Sequence, residues 1–202
     1  MDSKKIIKAD DEIYDGPIMN ARYVGDELFV FYEGPIQSTI MHTLVDTLNE
    51  NRLEEGKKFS LVLNSGGGDP AFLMSFYTFA KHMGLRAIYG VGQASSAALA
   101  MMLDCKRHRM PIYIDPMCYV VLHRVRTTWI GEERSERIHD YTDKWIKPYE
   151  ERFDLVNKQL ISKLTARQKK DYKDGRDVYL LGHHLIDMGI FKEIKSGIFT
   201  GK

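Results

Sequence analysis

The chain has 202 residues, 44% of them hydrophobic, with 29 basic against 28 acidic side chains and a formal charge of +1. That length and apolar content suit one sizeable core and exclude a disordered chain, and the near-neutral balance argues against nucleic acid or an anionic membrane as a partner. No apolar run reaches the roughly 20 residues of a membrane span, and the polar start Met1-Asp2-Ser3-Lys4-Lys5 is unlike a secretion signal, so a cytoplasmic protein is expected.

The mixed, charged stretch 1–26 is expected to be an N-terminal arm, with residues 1–20 a mobile segment or short hairpin and Asp15-Gly16-Pro17 a turn; 27–202 is then a single domain. Glu27–Tyr32 predicts a strand that ends at Gly34-Pro35, followed by a helix whose apolar face is Ile36, Ile40, Leu44 and Leu48. Phe59–Leu63 is a second apolar strand, running into Asn64-Ser65-Gly66-Gly67-Gly68-Asp69-Pro70, where Asp69 suits an N-cap and Pro70 a first helical position. Phe72–Met83 has a broad helical apolar face closed by Gly84, and Leu85–Val91 is a third strand. Repeated β-α units of this kind require right-handed crossovers and a largely parallel sheet, an α/β fold. Ala97–Ala100 begins a helix of small residues suited to tight packing on that sheet, and Lys106-Arg107-His108-Arg109 is expected as a solvated loop.

Met117–His123 is a further strand with a histidine at its end. Residues 131–164 then read as one long helix with apolar positions Ile138, Tyr141, Trp145, Tyr149, Phe153, Val156, Leu160 and Leu164. Such a helix is too long to bury its stripe on its own domain, so self-association is expected, and Pro148 should kink it. Thr165-Ala166-Arg167-Gln168 has the capping-box pattern of a new helix. Beyond Asp174-Gly175-Arg176-Asp177, a short strand and helix lead to a last strand at Ile190–Ile194.

Several residues invite a chemical reading. Ser95-Ser96 stand where a strand turns through glycine into a helix, so either serine can be an ordinary N-cap, or Ser96 can be a nucleophile at a helix N-terminus that favours a developing oxyanion. The glycine run 66–68 lacks the lysine and hydroxyl of a phosphate-binding loop, and Gly90-Val91-Gly92 lacks the third glycine of a dinucleotide fingerprint. Three glycines after a strand instead suit a backbone that approaches a ligand and offers N–H groups, or simply a loose turn. His123 has the sheet-edge position of a functional group, although a structural histidine fits there too. Cys105 and Cys118 lack metal spacing and are expected as buried free thiols, and His183-His184, adjacent on a helix, should face apart without a carboxylate to complete a metal site.

Taken in order, Asn64-Ser65-Gly66-Gly67-Gly68, Gly92-Gln93-Ala94-Ser95-Ser96, Val120-Val121-Leu122-His123 and Gly175-Arg176-Asp177 resemble the proteolytic subunits of the Clp protease over about residues 27–195. The resemblance implies a Clp protease and crotonase-type fold of stacked β-α-β turns with a protruding handle helix at 131–164. It implies a serine endopeptidase with Ser96 as nucleophile, His123 as general base and Asp177 as the orienting carboxylate, Asp174 and Asp187 being the fallbacks. By the same likeness the N–H groups of Gly68 and Ala97 form the oxyanion hole, and Gly66, Gly67 and Val125 meet the substrate backbone. Implied too are seven-membered rings stacked as a tetradecamer, an AAA+ unfoldase as partner, polypeptide substrates, and no metal or organic cofactor. The chain departs from the family pattern at Gly66, where proline is usual, at Arg124, where glutamine is usual, and at Gly175, where an acidic residue is usual. Two other readings of the same features are a non-catalytic ring subunit and an acyl-CoA enzyme on the related crotonase-type core.

Overall fold

The computed structural model describes residues 17–54, 56–125 and 136–199. Its frame is a mainly parallel sheet in the order β1 (Ile18–Val24), β2 (Glu27–Glu33), β3 (Phe59–Ser65), β4 (Leu85–Ala94), β5 (Ile112–Ile114) and β8 (Lys192–Glu193). Only β1 runs antiparallel in that row, paired with β2 from Ile18↔Glu33 to Val24↔Glu27, so the second half of the expected arm is an edge strand. The inner strands are apolar at nearly every position, as strands covered on both faces must be. Leu28, Val30, Phe59, Leu61, Leu63 and Ile88 are all buried.

One face of the sheet carries the helices α1 (Ile40–Glu50), a 3-10 turn at Pro70–Met74, α2 (Phe76–His82) and α3 (Ala97–Arg107). The stripe Ile40, Leu44 and Leu48 of α1 is buried as its spacing predicts. Ile36 is buried too, but as a bridge partner of Gly68 in front of the helix and not on it. Asp69 caps the 3-10 turn, its Oδ1 accepting the Ala71 N–H at 2.8 Å, with Pro70 in the first turn. The other face of the sheet carries a smaller cluster of Phe29, Val62, Ala87 and Tyr89, against which Phe199 packs, its ring centroid 5.6 Å from that of Phe29.

The helix α3 lies at the centre of the molecule, with every residue from Ala97 to Cys105 buried. Its small leading side chains let it sit among neighbours on all sides, which a bulkier helix could not do. Burying Asp104 requires a partner. Arg152 supplies it with two bonds to the carboxylate at 2.8 and 2.9 Å, and Arg107 adds one at 3.3 Å. The basic run expected as a solvated loop is solvated at Arg107, His108 and Arg109, but only its second half, His108-Arg109, is a turn. Lys106 and Arg107 form the last helical turn, Arg107 is drawn back to Asp104, and His108 stacks on Tyr77 at 4.0 Å.

Arg152 belongs to α4 (Glu136–Lys163), which runs through Pro148 and spans about 42 Å at helical rise. Phe153, Val156, Leu160 and Leu164 bury against the body of the same chain. Residues 131–135 of the expected helix, and the side chains of Ile138, Tyr141 and Trp145, lie outside the described part. Thr165 then opens α5 (Ala166–Lys173) with the full capping box, its hydroxyl accepting from Gln168 N–H.

Two short strands, β6 (Tyr119–Leu122) and β7 (Val178–Leu181), pair antiparallel and join the main sheet through one bridge between Tyr119 and Gln93 at the end of β4. The short helix α6 (Gly182–Asp187) follows β7. No helix among the described residues is long and apolar enough to cross a membrane.

Candidate functional site

At its end, β4 turns sharply into α3 through Ser95 and Ser96. Ser96 has φ 52° and ψ −123°, a conformation that side-chain-bearing residues avoid at a cost of about 1–3 kcal/mol. The surroundings over-determine it: Ser95 N–H donates to Ser65 O at 3.0 Å, Ser96 N–H to Val121 O at 2.8 Å, and Ala100 N–H to Ser96 O at 3.0 Å. Ser96 occupies the N-cap position of α3, yet its side chain makes no capping bond. The capping alternative is thus not realised, and a half-buried hydroxyl stands at the N-terminus of a helix of 11 residues.

The glycine run lies directly against this elbow. A Cβ at Gly67, whose φ is +105°, would come 2.5 Å from Ser96 Cβ and 3.0 Å from Ala97 N, so no other residue fits. Gly67 spends both backbone groups within the chain, its N–H on Ser65 Oγ at 3.1 Å and its C=O on Ile36 N–H at 2.7 Å. Gly66 and Gly68 are exposed on either side of it. The bridge to Ile36 uses the Gly67 carbonyl and the Asp69 N–H, which leaves the Gly68 N–H directed elsewhere. Among the described residues neither Gly68 N–H nor Ala97 N–H has an acceptor. Ala97 follows the elbow serine directly and Gly68 follows Gly67, which packs on it, and an N–H with no acceptor of its own is the kind of donor an oxyanion needs. Val125, by contrast, is half-buried against the main core.

The register of β6 and β7 brings the neighbours of His123 and Asp177 together, since Leu122 pairs with Val178. Pairing runs from Tyr119↔Leu181 to Leu122↔Val178 and ends there, with His123 one residue past β6 and Asp177 one residue before β7. Val121 gives its N–H to Ser95 Oγ at 2.9 Å and its C=O to Ser96 N–H at 2.8 Å, so it has neither left for β7. Its position opposite Tyr179 is therefore of the closer-spaced, non-hydrogen-bonded kind, with Cα atoms about 4.5 Å apart. The fallback carboxylates sit elsewhere: Asp174 is 2.8 Å from Arg176, and Asp187 is exposed at the end of α6. The His123 Nδ1 lies 2.6 Å from the Arg124 carbonyl oxygen. A carbonyl can only accept, so Nδ1 carries the proton there and a neutral ring keeps its lone pair on Nε2, the tautomer a general base needs. Asp177 Oδ2 accepts from Tyr179 OH at 3.3 Å.

Other reactive groups nearby are subdued. Burial, with Asp115 adding to it, pushes the Cys118 thiol up to about 12, and burial raises the Cys105 thiol further. His183 and His184 do not face apart: the His184 ring folds back to accept the Leu181 N–H at 2.9 Å, which brings the two ring centroids within 4.0 Å. Among the described residues no group of three or more His, Cys, Asp or Glu is arranged to hold a metal. The sequence offers Ser95 only as a cap and Asn64 and Gln93 only as motif positions, yet these three tie the elbow together; Asn64 Oδ1 accepts the Gln93 N–H at 2.9 Å. No protein-family model matches the chain, and no curated protein matches its sequence.

Proposed function

We propose that the chain is a serine endopeptidase of the Clp type, on a Clp protease and crotonase-type fold with α4 as its handle, that cleaves unfolded polypeptides or short peptides. The observation that carries the reading is the strained elbow of Ser96, uncapped, with the N–H groups of Gly68 and Ala97 beside it.

In this reading Ser96 Oγ attacks the peptide carbonyl carbon as His123 Nε2 takes its proton. The carbonyl oxygen gathers negative charge toward the two N–H donors. The C–N bond then breaks, the leaving amine takes the proton from His123, and water hydrolyses the Ser96 ester by the same route. A positioned base contributes about 10² to 10⁴ in rate, and one oxyanion donor about 3 to 4 kcal/mol. Asp177, across the strand pair, steadies the imidazolium. The reading extends to an oligomeric chamber of stacked heptameric rings, with an AAA+ unfoldase feeding longer chains and short peptides cut without it.

Labelling by a fluorophosphonate probe tests this, on the parent beside Ser96→Ala and His123→Ala, with the assembled mass of each recorded. The parent should label, Ser96→Ala should not, and His123→Ala should label far more slowly. An assembled parent that stays unlabelled would overturn the proposal in favour of a non-catalytic ring subunit. Binding of a CoA thioester by that unlabelled parent would favour the acyl-CoA reading.

A further inference from the structure

We infer that Ser95 is a positioning residue that sets the nucleophile, the oxyanion donors and the base in one frame; this rests on the protease reading above. Ser95 is 1% exposed, and a buried hydroxyl persists where it is bonded. Each of its polar groups goes to a different part of the site. The N–H donates to Ser65 O at the end of β3, the strand that runs into Gly66-Gly67-Gly68. The carbonyl accepts the Ala98 N–H in the first turn of α3 at 3.0 Å. The hydroxyl oxygen accepts the Val121 N–H at 2.9 Å and Gln93 Nε2 at 3.3 Å.

The third of these matters most. Val121 stands two residues before His123 on β6, and β6 reaches the main sheet otherwise through the one bridge to Gln93. Ser95 Oγ and Ser96 N–H together hold Val121 by both of its backbone groups. One grip comes from the nucleophile's own N–H, the other from the side chain beside it. Removing the hydroxyl leaves Val121 held to the elbow by the Ser96 N–H alone, beside the Tyr119–Gln93 bridge, while α3 and the glycine run keep all of their bonds and β4 loses only the Gln93 side-chain bond. A shift of the base by about 1 Å is enough to cost on the order of 100-fold in rate.

The test compares the parent with Ser95→Ala in the full assembled protein by three readouts: fluorophosphonate labelling rate, kcat and KM on a short peptide, and amide hydrogen exchange at Val121. Ser95→Ala should exchange faster at Val121, label about 10- to 100-fold more slowly, and lose kcat at unchanged KM, with assembled mass unaltered. Faster exchange with labelling at the parental rate would overturn the positioning role and leave Ser95 as a packing residue. Unchanged exchange at Val121 would overturn the grip itself. If Ser95→Ala fails to assemble, Ser95→Cys fills the same volume with a weak acceptor, and a parental labelling rate there overturns the inference. A parent that never labels sinks the protease reading and the positioning role with it, while the Val121 exchange still decides whether the grip exists.

Discussion

Around Ser96 the chain is held by backbone bonds from β3, β6 and α3, whereas His123 stands one residue past a four-residue strand on a minor sheet joined to the main one by a single bridge. The first region is built from conformation: a strained φ, a glycine with no room for a Cβ, and backbone groups tied to two strands and a helix. The second is built from register: Leu122 and Val178, the neighbours of His123 and Asp177, pair at the ends of two short strands. Conformation fixed by buried packing resists small changes and fails abruptly, while register at a strand end can give by degrees. Substitutions in the two regions should therefore differ in kind as well as in size.

The largest effect is expected at Gly67→Ala. The new methyl would lie 2.5 Å from Ser96 Cβ and 2.8 Å from Ser95 O on a residue with φ +105°, so both the backbone and the elbow must move. Labelling should fall by more than about 100-fold, since the Gly68 donor moves with the loop. The elbow should lose its strained geometry as well, which a lowered melting temperature would register. Retention of even a tenth of the parental rate would break the comparison, because it would mean that the glycine loop is soft.

The anchoring of α3 gives the next largest effect. Asp104→Ala leaves Arg152 and Arg107 facing a buried site with no carboxylate. Removing one partner of a buried ion pair costs about 3 to 5 kcal/mol. Arg152 keeps 29% of its side-chain surface in water, so the lower figure applies. Urea unfolding should show a midpoint lowered accordingly, with the slope unchanged. A loss under about 1 kcal/mol would place the pair among surface ion pairs and detach α3 from the rigid side of the comparison.

How far the sequence reveals this division follows from the same physics. Apolar runs bounded by glycine and proline mark β3, β4 and β6, and small residues after Ser96 mark a helix that can be wholly buried, because both patterns are local. Ile36 continues the four-residue spacing of α1, yet it pairs with Gly68; periodicity cannot tell a residue just before a helix from one in it. The run Lys106–Arg109 reads as a loop by composition, and the buried Asp104 one turn earlier, to which the exposed Arg107 reaches back, is what extends the helix into it. Adjacent histidines at 183 and 184 were expected to diverge, but a cap bond to Leu181 bends one ring onto the other. Ser95 could not be singled out at all, since its bonds run to residues 30 before and 26 after it in the chain. Asp177 needed the β6–β7 register to be separated from Asp174 and Asp187.

The smallest and most discriminating effect concerns Asp177. A carboxylate beside a catalytic imidazole does two things: it selects the tautomer, and it stabilises the imidazolium that forms. In this chain the Arg124 carbonyl already accepts from His123 Nδ1 at 2.6 Å, so a backbone group selects the tautomer, and in the proposed mechanism Asp177 would have only the second task. Asp177→Ala should then slow labelling by about 10-fold, against about 10² to 10⁴ for His123→Ala, with Asp177→Asn close to Asp177→Ala. Rates measured side by side on assembled protein check the order. If Asp177→Ala instead falls as far as His123→Ala, the ring must leave the carbonyl to react. The base region would then be the part of the site that rearranges, while the elbow stays fixed.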